Sequence, residues 1–131
     1  MYDKLKKLLN NSYSPYSNFR VSCIVVMKDG KEFNGVNYEN ASYGSTICAE
    51  RNAIGSAIAA GYKKGDFNSL YLMFSNGKFG VPCFACRQVI VEFMDMDSNI
   101  ISINELGEEK IYTVRELCPN PFELSEVDSN A

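Results

Sequence analysis

The chain has 131 residues, 46% hydrophobic and 22% charged, which suits one globular domain over residues 1–131 with a real core. A net charge of −3 disfavours nucleic-acid and anionic-membrane partners, and the short cluster "KLKK" at 4–7 reads as a solvated helix face. No apolar run reaches the ~18 residues of a membrane span and the first residues lack the apolar core of a signal peptide, so a cytoplasmic, reducing address is expected, with cysteines as thiols or metal ligands rather than disulfides.

Residues 2–11 are predicted to form a short amphipathic helix with Leu5, Leu8 and Leu9 inward, broken by "SPYSNF" because Pro15 disfavours helix around it. "FRVSCIVVMKDGKEFNGVNY" (19–38) reads as a β-hairpin turning at "KDGK", with Cys23 a small core residue of its first strand. "ENASYGST" (39–46) is a polar loop, and Ser45 or Thr46 is expected to cap the helix that follows over 48–61. In that helix Glu50, Ile54, Ala57 and Ile58 share one stripe, which directs a carboxylate toward the core. "SLYLMFS" (69–75) has the length and continuity of a buried strand. "CFACRQVIVEFM" (83–94) starts a second core helix, with Ala85, Val89 and Phe93 inward. "NIISIN" (99–104) and "KIYTV" (110–114) are the last strands, "VRELC" is a turn of helix, and the acidic tail after about residue 123 is expected to be loose. The order α-β-β-α-β-α-β-β predicts an α/β fold, a mixed sheet with helices on both faces.

Chemistry concentrates at two helix starts. Cys83 and Cys86 form a C-x-x-C where a loop becomes a helix, and Cys48 occupies the matching place on the earlier helix. Unsatisfied amides and the positive dipole end at such positions stabilise thiolates. The chain has no histidine, which removes serine–histidine and cysteine–histidine catalysis and every histidine metal site. Three thiolates around Zn²⁺ with the fourth position open is the catalytic arrangement, whereas structural sites hold four protein ligands. Three thiolates also leave the metal unit with net negative charge, which weakens activation of a bound water. Arg51, three residues after Cys48, is placed to offset that charge, and the inward Glu50 is placed to carry a proton from the water to a departing group.

"PYSNFRV", "GVNYENASYG", "ICAERNAI", "PCFACRQVIVEF" and "LCPNPF", in that order from residue 15 to 122, together resemble the free-nucleoside cytidine deaminases. The resemblance implies a three-layer α/β/α sandwich on a five-stranded mixed sheet, with one Zn²⁺ per subunit on Cys48, Cys83 and Cys86. It implies hydrolysis of cytidine or deoxycytidine to the uridine product in pyrimidine salvage, a zinc-bound hydroxide attacking C4 with Glu50 as proton shuttle. By the same resemblance Asn37 and Glu39 grip a ribose hydroxyl, the main chain at Ala49 meets the pyrimidine carbonyl and Phe19 lies beside the nucleoside. Phe122 is implied to reach the base from a neighbouring subunit of a homotetramer with shared active sites.

The chain departs from the family in two places. Phe84 stands where the family usually has glycine, and "RVSCIV" replaces the common "PVGAA". Phenylalanine there is tolerable on a helical backbone and strained at positive φ. Among other enzymes, a blasticidin-S-type deaminase shares the three-cysteine site but is expected to lack the "NYEN" motif. A non-catalytic zinc module closed by Cys118, and a dithiol redox protein, are the alternatives from other classes.

Overall fold

The structure, a computed structural model, describes residues 1–124. Its elements are α1 (Tyr2–Leu8), β1 (Val21–Met27), β2 (Glu32–Val36), α2 (Ala49–Ala59), β3 (Phe67–Phe74), α3 (Phe84–Phe93), β4 (Asn99–Ile103), β5 (Glu109–Thr113) and α4 (Val114–Leu117), with single 3-10 turns at Leu9–Asn11 and Tyr43–Ser45. The five strands form one mixed sheet in the order β2-β1-β3-β4-β5. β1 pairs antiparallel with both β2 and β3, β4 pairs antiparallel with β5, and β3 and β4 are parallel. Parallel neighbours need a long crossover, and α3 supplies it. The β1–β2 hairpin closes where Gly30 takes φ +90°, a conformation open to glycine at no steric cost.

Alternation along the strands divides the core into two layers. On one face Leu5 and Leu9 from the first helical segment meet Ile24, Met73, Ile101 and Ile103. Ser22 on that face donates its hydroxyl to the Leu5 carbonyl at 2.8 Å. On the opposite face Cys23, Val25, Leu70, Leu72 and Ile100 pack against Ala53, Ile54 and Ala57 of α2, Ile90 of α3 and Val114 of α4. The result is helix, sheet, helix, the three-layer α/β/α arrangement with a five-stranded mixed sheet. The loose tail expected after residue 123 lies, apart from Leu124, outside the described residues.

Three packing expectations are corrected. Ile58 is exposed, so the inward stripe of α2 ends at Ala57, just before the helix terminates. The buried side of α3 is Cys86 and Ile90, continued by Met94, whereas Ala85 is exposed and Val89 and Phe93 only flank the core. Arg87, Gln88 and Glu92 line the other side of that helix, and the apolar arc is wide enough that Ala85 and Val89 fall at its edge rather than its centre. The cap of α2 is Cys48, with no side-chain hydrogen bond, because Ser45 belongs to the preceding 3-10 turn and Thr46 is extended.

Close approach at one strand sets the height of α2 over the sheet. A Cβ at Gly35 of β2 would lie 2.3 Å from the Ala49 oxygen and 2.4 Å from the Ala53 nitrogen. Only glycine allows the first turns of α2 to rest on the β2 backbone. Asn52, on the same helix, accepts the Val36 amide through Oδ1 at 3.0 Å and so fixes the helix along the strand.

Candidate metal centre

The N-termini of α2 and α3 bring three sulfurs together. Cys48 caps α2, Cys83 caps α3 and Cys86 sits in the first turn of α3. Their Sγ atoms all lie within 4.8 Å of one another, with 3.9 Å from Cys48 to Cys83 and 3.4 Å from Cys83 to Cys86. Tetrahedral zinc with Zn–S bonds of about 2.3 Å holds its sulfurs about 3.8 Å apart, so the donor set fits Zn²⁺ in both chemistry and spacing. Among the described residues this is the one group of three or more metal-ligating side chains, and Cys118 is not part of it. The closed four-cysteine alternative therefore lacks its fourth ligand.

Burial falls off across the trio: Cys86 is buried, Cys48 half-buried and Cys83 exposed. Among themselves the thiols share protons unequally. The adjoining Cys86 thiol first, then the Arg51 guanidinium, bring the Cys48 thiol down to about 5 against its partial burial. Cys86 is pushed up, chiefly by that same partnership with Cys48 and then by burial. Arg51 Nη2 donates to Cys48 Sγ at 3.5 Å, and the thiolate in turn raises the guanidinium above its ordinary range. The buried Nε of Arg51 has no partner among the described residues.

Glu50 is 3% exposed, two residues beyond Cys48 and in the first turn of α2. Burial is the main cause that raises its carboxyl to about 7, with the negative Cys48 adding to it. A carboxyl held there is poised to change protonation near neutrality. Ala49 is buried beside it as the first residue of α2, and its N–H is among the amides that the helical ladder leaves free.

The remaining candidates frame a neighbouring surface. Asn37 is buried, and its carboxamide is engaged within the fold: Nδ2 donates to the Phe19 carbonyl at 2.8 Å, while Oδ1 accepts from the Val21 amide at 2.9 Å and from the Ser12 hydroxyl. Glu39 Oε1 accepts the Tyr16 and Ser17 amides at 3.0 and 3.1 Å, and Oε2 accepts the Ser17 hydroxyl. The Ser17 hydroxyl first, then these amides, lower the Glu39 carboxyl below its ordinary value. Phe19 is half-buried, edge-on to Phe74 at 5.0 Å between ring centroids. Its approach is set by Asn18, at φ 57°, a left-handed position that asparagine tolerates. Phe122 is not gathered with these residues in its own chain. The residue is 61% exposed, and its carbonyl accepts Gln88 Nε2 of α3 at 3.1 Å.

Phe84 begins α3 with an ordinary helical backbone and is not among the positive-φ residues, so its replacement of glycine carries no backbone strain. The Arg87 guanidinium lies over its ring, 4.4 Å from the centroid. Sequence reasoning assigned Arg87 no role, although its position four residues after Cys83 on the same helix was a usable signal.

Residues 1–102 match the family model described as the cytidine and deoxycytidylate deaminase zinc-binding region. The chain is 35% identical over 122 residues to a cytidine deaminase of Mycoplasma genitalium, covering 93% of this chain and 92% of that protein. It is 38% identical over 117 residues to a cytidine deaminase of Halalkalibacterium halodurans, covering 89% and 87%. The crystal structure of cytidine deaminase from Burkholderia pseudomallei superposes with a TM-score of 0.87 at 39% identity, covering 92% of this chain and 95% of that one. With the sulfur trio in place on this sheet and the match spanning most of its length, the chain belongs to the cytidine and deoxycytidylate deaminase family.

Proposed function

We propose that this chain, acting as one domain over 1–131, is a cytidine deaminase that hydrolyses cytidine and deoxycytidine to uridine and deoxyuridine in cytoplasmic pyrimidine salvage. The observation that carries the reading is a buried carboxylate, Glu50, beside three sulfurs spaced for zinc. Cys48, Cys83 and Cys86 would hold one Zn²⁺ per subunit, and the metal when bound supplies the Lewis acidity that makes water a nucleophile at neutral pH. Glu50 would take a proton from water as the water oxygen bonds to C4, and would hand a proton to the amine as the C4–N bond breaks; the second water proton goes to the ring, C4=O forms and ammonia leaves. The low exposure of Glu50 excludes competing bulk water from this transfer.

Arg51 balances the surplus negative charge of three thiolates through its contact with Cys48. Asn37 and Glu39 bind a ribose hydroxyl, the Ala49 main chain meets the pyrimidine carbonyl, and Phe19 lies along the nucleoside. The exposed ring of Phe122 supports its delivery to a neighbouring subunit's base in a homotetramer. A free nucleoside as substrate also accords with the net charge of −3, which gives no basic track for a polynucleotide.

Zinc stoichiometry measured alongside ammonia release from cytidine, deoxycytidine and blasticidin S tests the reading. One zinc per chain with turnover of the two nucleosides is expected. Turnover of blasticidin S alone, or no ammonia from any of the three by fully loaded protein, overturns it.

A further inference from the structure

Arg87 makes three contacts that converge on the exposed half of the metal centre. Its Nε donates to the Pro82 carbonyl at 2.7 Å, its Nη1 donates to the Leu117 carbonyl at 2.7 Å, and its guanidinium covers the Phe84 ring. Pro82 has no N–H, so its carbonyl is the only main-chain hydrogen-bonding group it offers. That carbonyl and the N–H of Cys83 belong to one rigid peptide plane, so fixing the oxygen fixes the direction from which Cys83 leaves the loop. Pro82 itself is buried, but Cys83 caps α3 without a side-chain hydrogen bond, and both Cys83 and Phe84 are exposed.

We propose that Arg87 is a positioning residue for the metal, setting the Cys83 thiolate by clamping the Pro82–Cys83 peptide against the end of α4. The inference rests on zinc being held by the three cysteines. Arginine suits the task because its planar fork satisfies two carbonyls and stacks on a ring at once, whereas lysine offers a compact charge that cannot do all three. It also gives Phe84 a purpose: in place of the family's glycine, this chain presents a ring with the guanidinium over its face. The next residue, Gln88, holds the other end of the 117–122 segment through the Phe122 carbonyl. Gln88 touches neither Pro82 nor Phe84 among the contacts described, so it serves as the internal control.

Zinc release from the native holoprotein to excess chelator, measured for wild type, Arg87→Ala, Arg87→Lys and Gln88→Ala, tests this. Removing an outer partner of a metal ligand typically costs about 10- to 100-fold in metal affinity, so Arg87→Ala should release zinc faster by that order, with Arg87→Lys between it and wild type. Gln88→Ala should release zinc as wild type does. With cytidine, Arg87→Ala should lower kcat and leave KM unchanged, because Asn37 and Glu39 are held by other elements. Wild-type release from Arg87→Ala overturns the proposal, as does Gln88→Ala releasing zinc as fast as Arg87→Ala. If Arg87→Ala does not fold, Arg87→Lys decides, and wild-type release from it is equally fatal. Should no form act on cytidine, the proposed activity falls while the release comparison still decides the role of Arg87.

Discussion

The two helices that meet at the sulfurs are supported in opposite ways. α2 is bedded in the core: Ala49, Glu50 and Ala53 are buried, and the helix rests on the bare backbone of Gly35. α3 begins at the surface, where Cys83, Phe84 and Ala85 are all exposed. The acid therefore rides on the half of the site that the core immobilises, together with one sulfur. The other two sulfurs arrive on a helix start that needs side chains of its own to hold it. The difference teaches that the proposed proton carrier stands on the braced half, while the most accessible sulfur, Cys83, stands on the other.

The largest expected effect tests the buried half. Glu50→Gln keeps the shape of the side chain and removes the titrating oxygen, so turnover of cytidine should fall by about two to four orders of magnitude while zinc content stays at the wild-type level. Full activity with normal zinc would remove Glu50 from the proton path. Next comes the seat of α2. Gly35→Ala places a methyl group 2.3 Å from the Ala49 oxygen, so the helix must lift from β2. Overpacking of this kind costs about 1–3 kcal/mol or more and should appear as a lowered midpoint in urea unfolding together with weakened zinc retention, since Cys48 moves with the helix. An unchanged midpoint would show that the buried half is not rigid. The smallest effect belongs to the exposed half. Phe84→Gly loses a surface cation–π contact of about 0.5–1 kcal/mol, leaves both carbonyl bonds of Arg87 in place, and should shift the midpoint by less than Gly35→Ala does. A loss equal to that of Gly35→Ala would erase the contrast between the halves.

Much of this was legible in the residues. β-branched and aromatic runs marked the strands, "KDGK" marked the hairpin turn, and cysteines at two helix starts marked the metal centre. The inward turn of Glu50 followed from its spacing to Ile54 and Ala57, both buried. The parts that resisted were those that depend on what lies across from a residue. Ile58 shares the α2 stripe in sequence, but the helix ends there and no partner covers it. On α3 the apolar arc is wide, so its centre shows only in the burial of Cys86 and Ile90. The contact of Arg87 with Leu117 spans 30 residues, a separation at which no local pattern carries information. Whether Cys118 could close the metal site was likewise a question of distance, and it stands outside the sulfur group.

The bracing of Asn37 and Glu39 has a consequence for the ribose contact proposed for them. With Oδ1 occupied and one hydrogen on Nδ2 committed to Phe19, Asn37 has a single hydrogen left to give. Glu39, ionised and already receiving three hydrogen bonds, can only take, and has about one lone pair left for it. They stand two residues apart, two posts of opposite polarity. An alcohol satisfies both posts with one oxygen. If a ribose hydroxyl meets both, as proposed, an ether would answer only Asn37, an ammonium only Glu39 and a bare carbon neither, so a sugar altered at that one atom would be turned away by chemistry rather than by size.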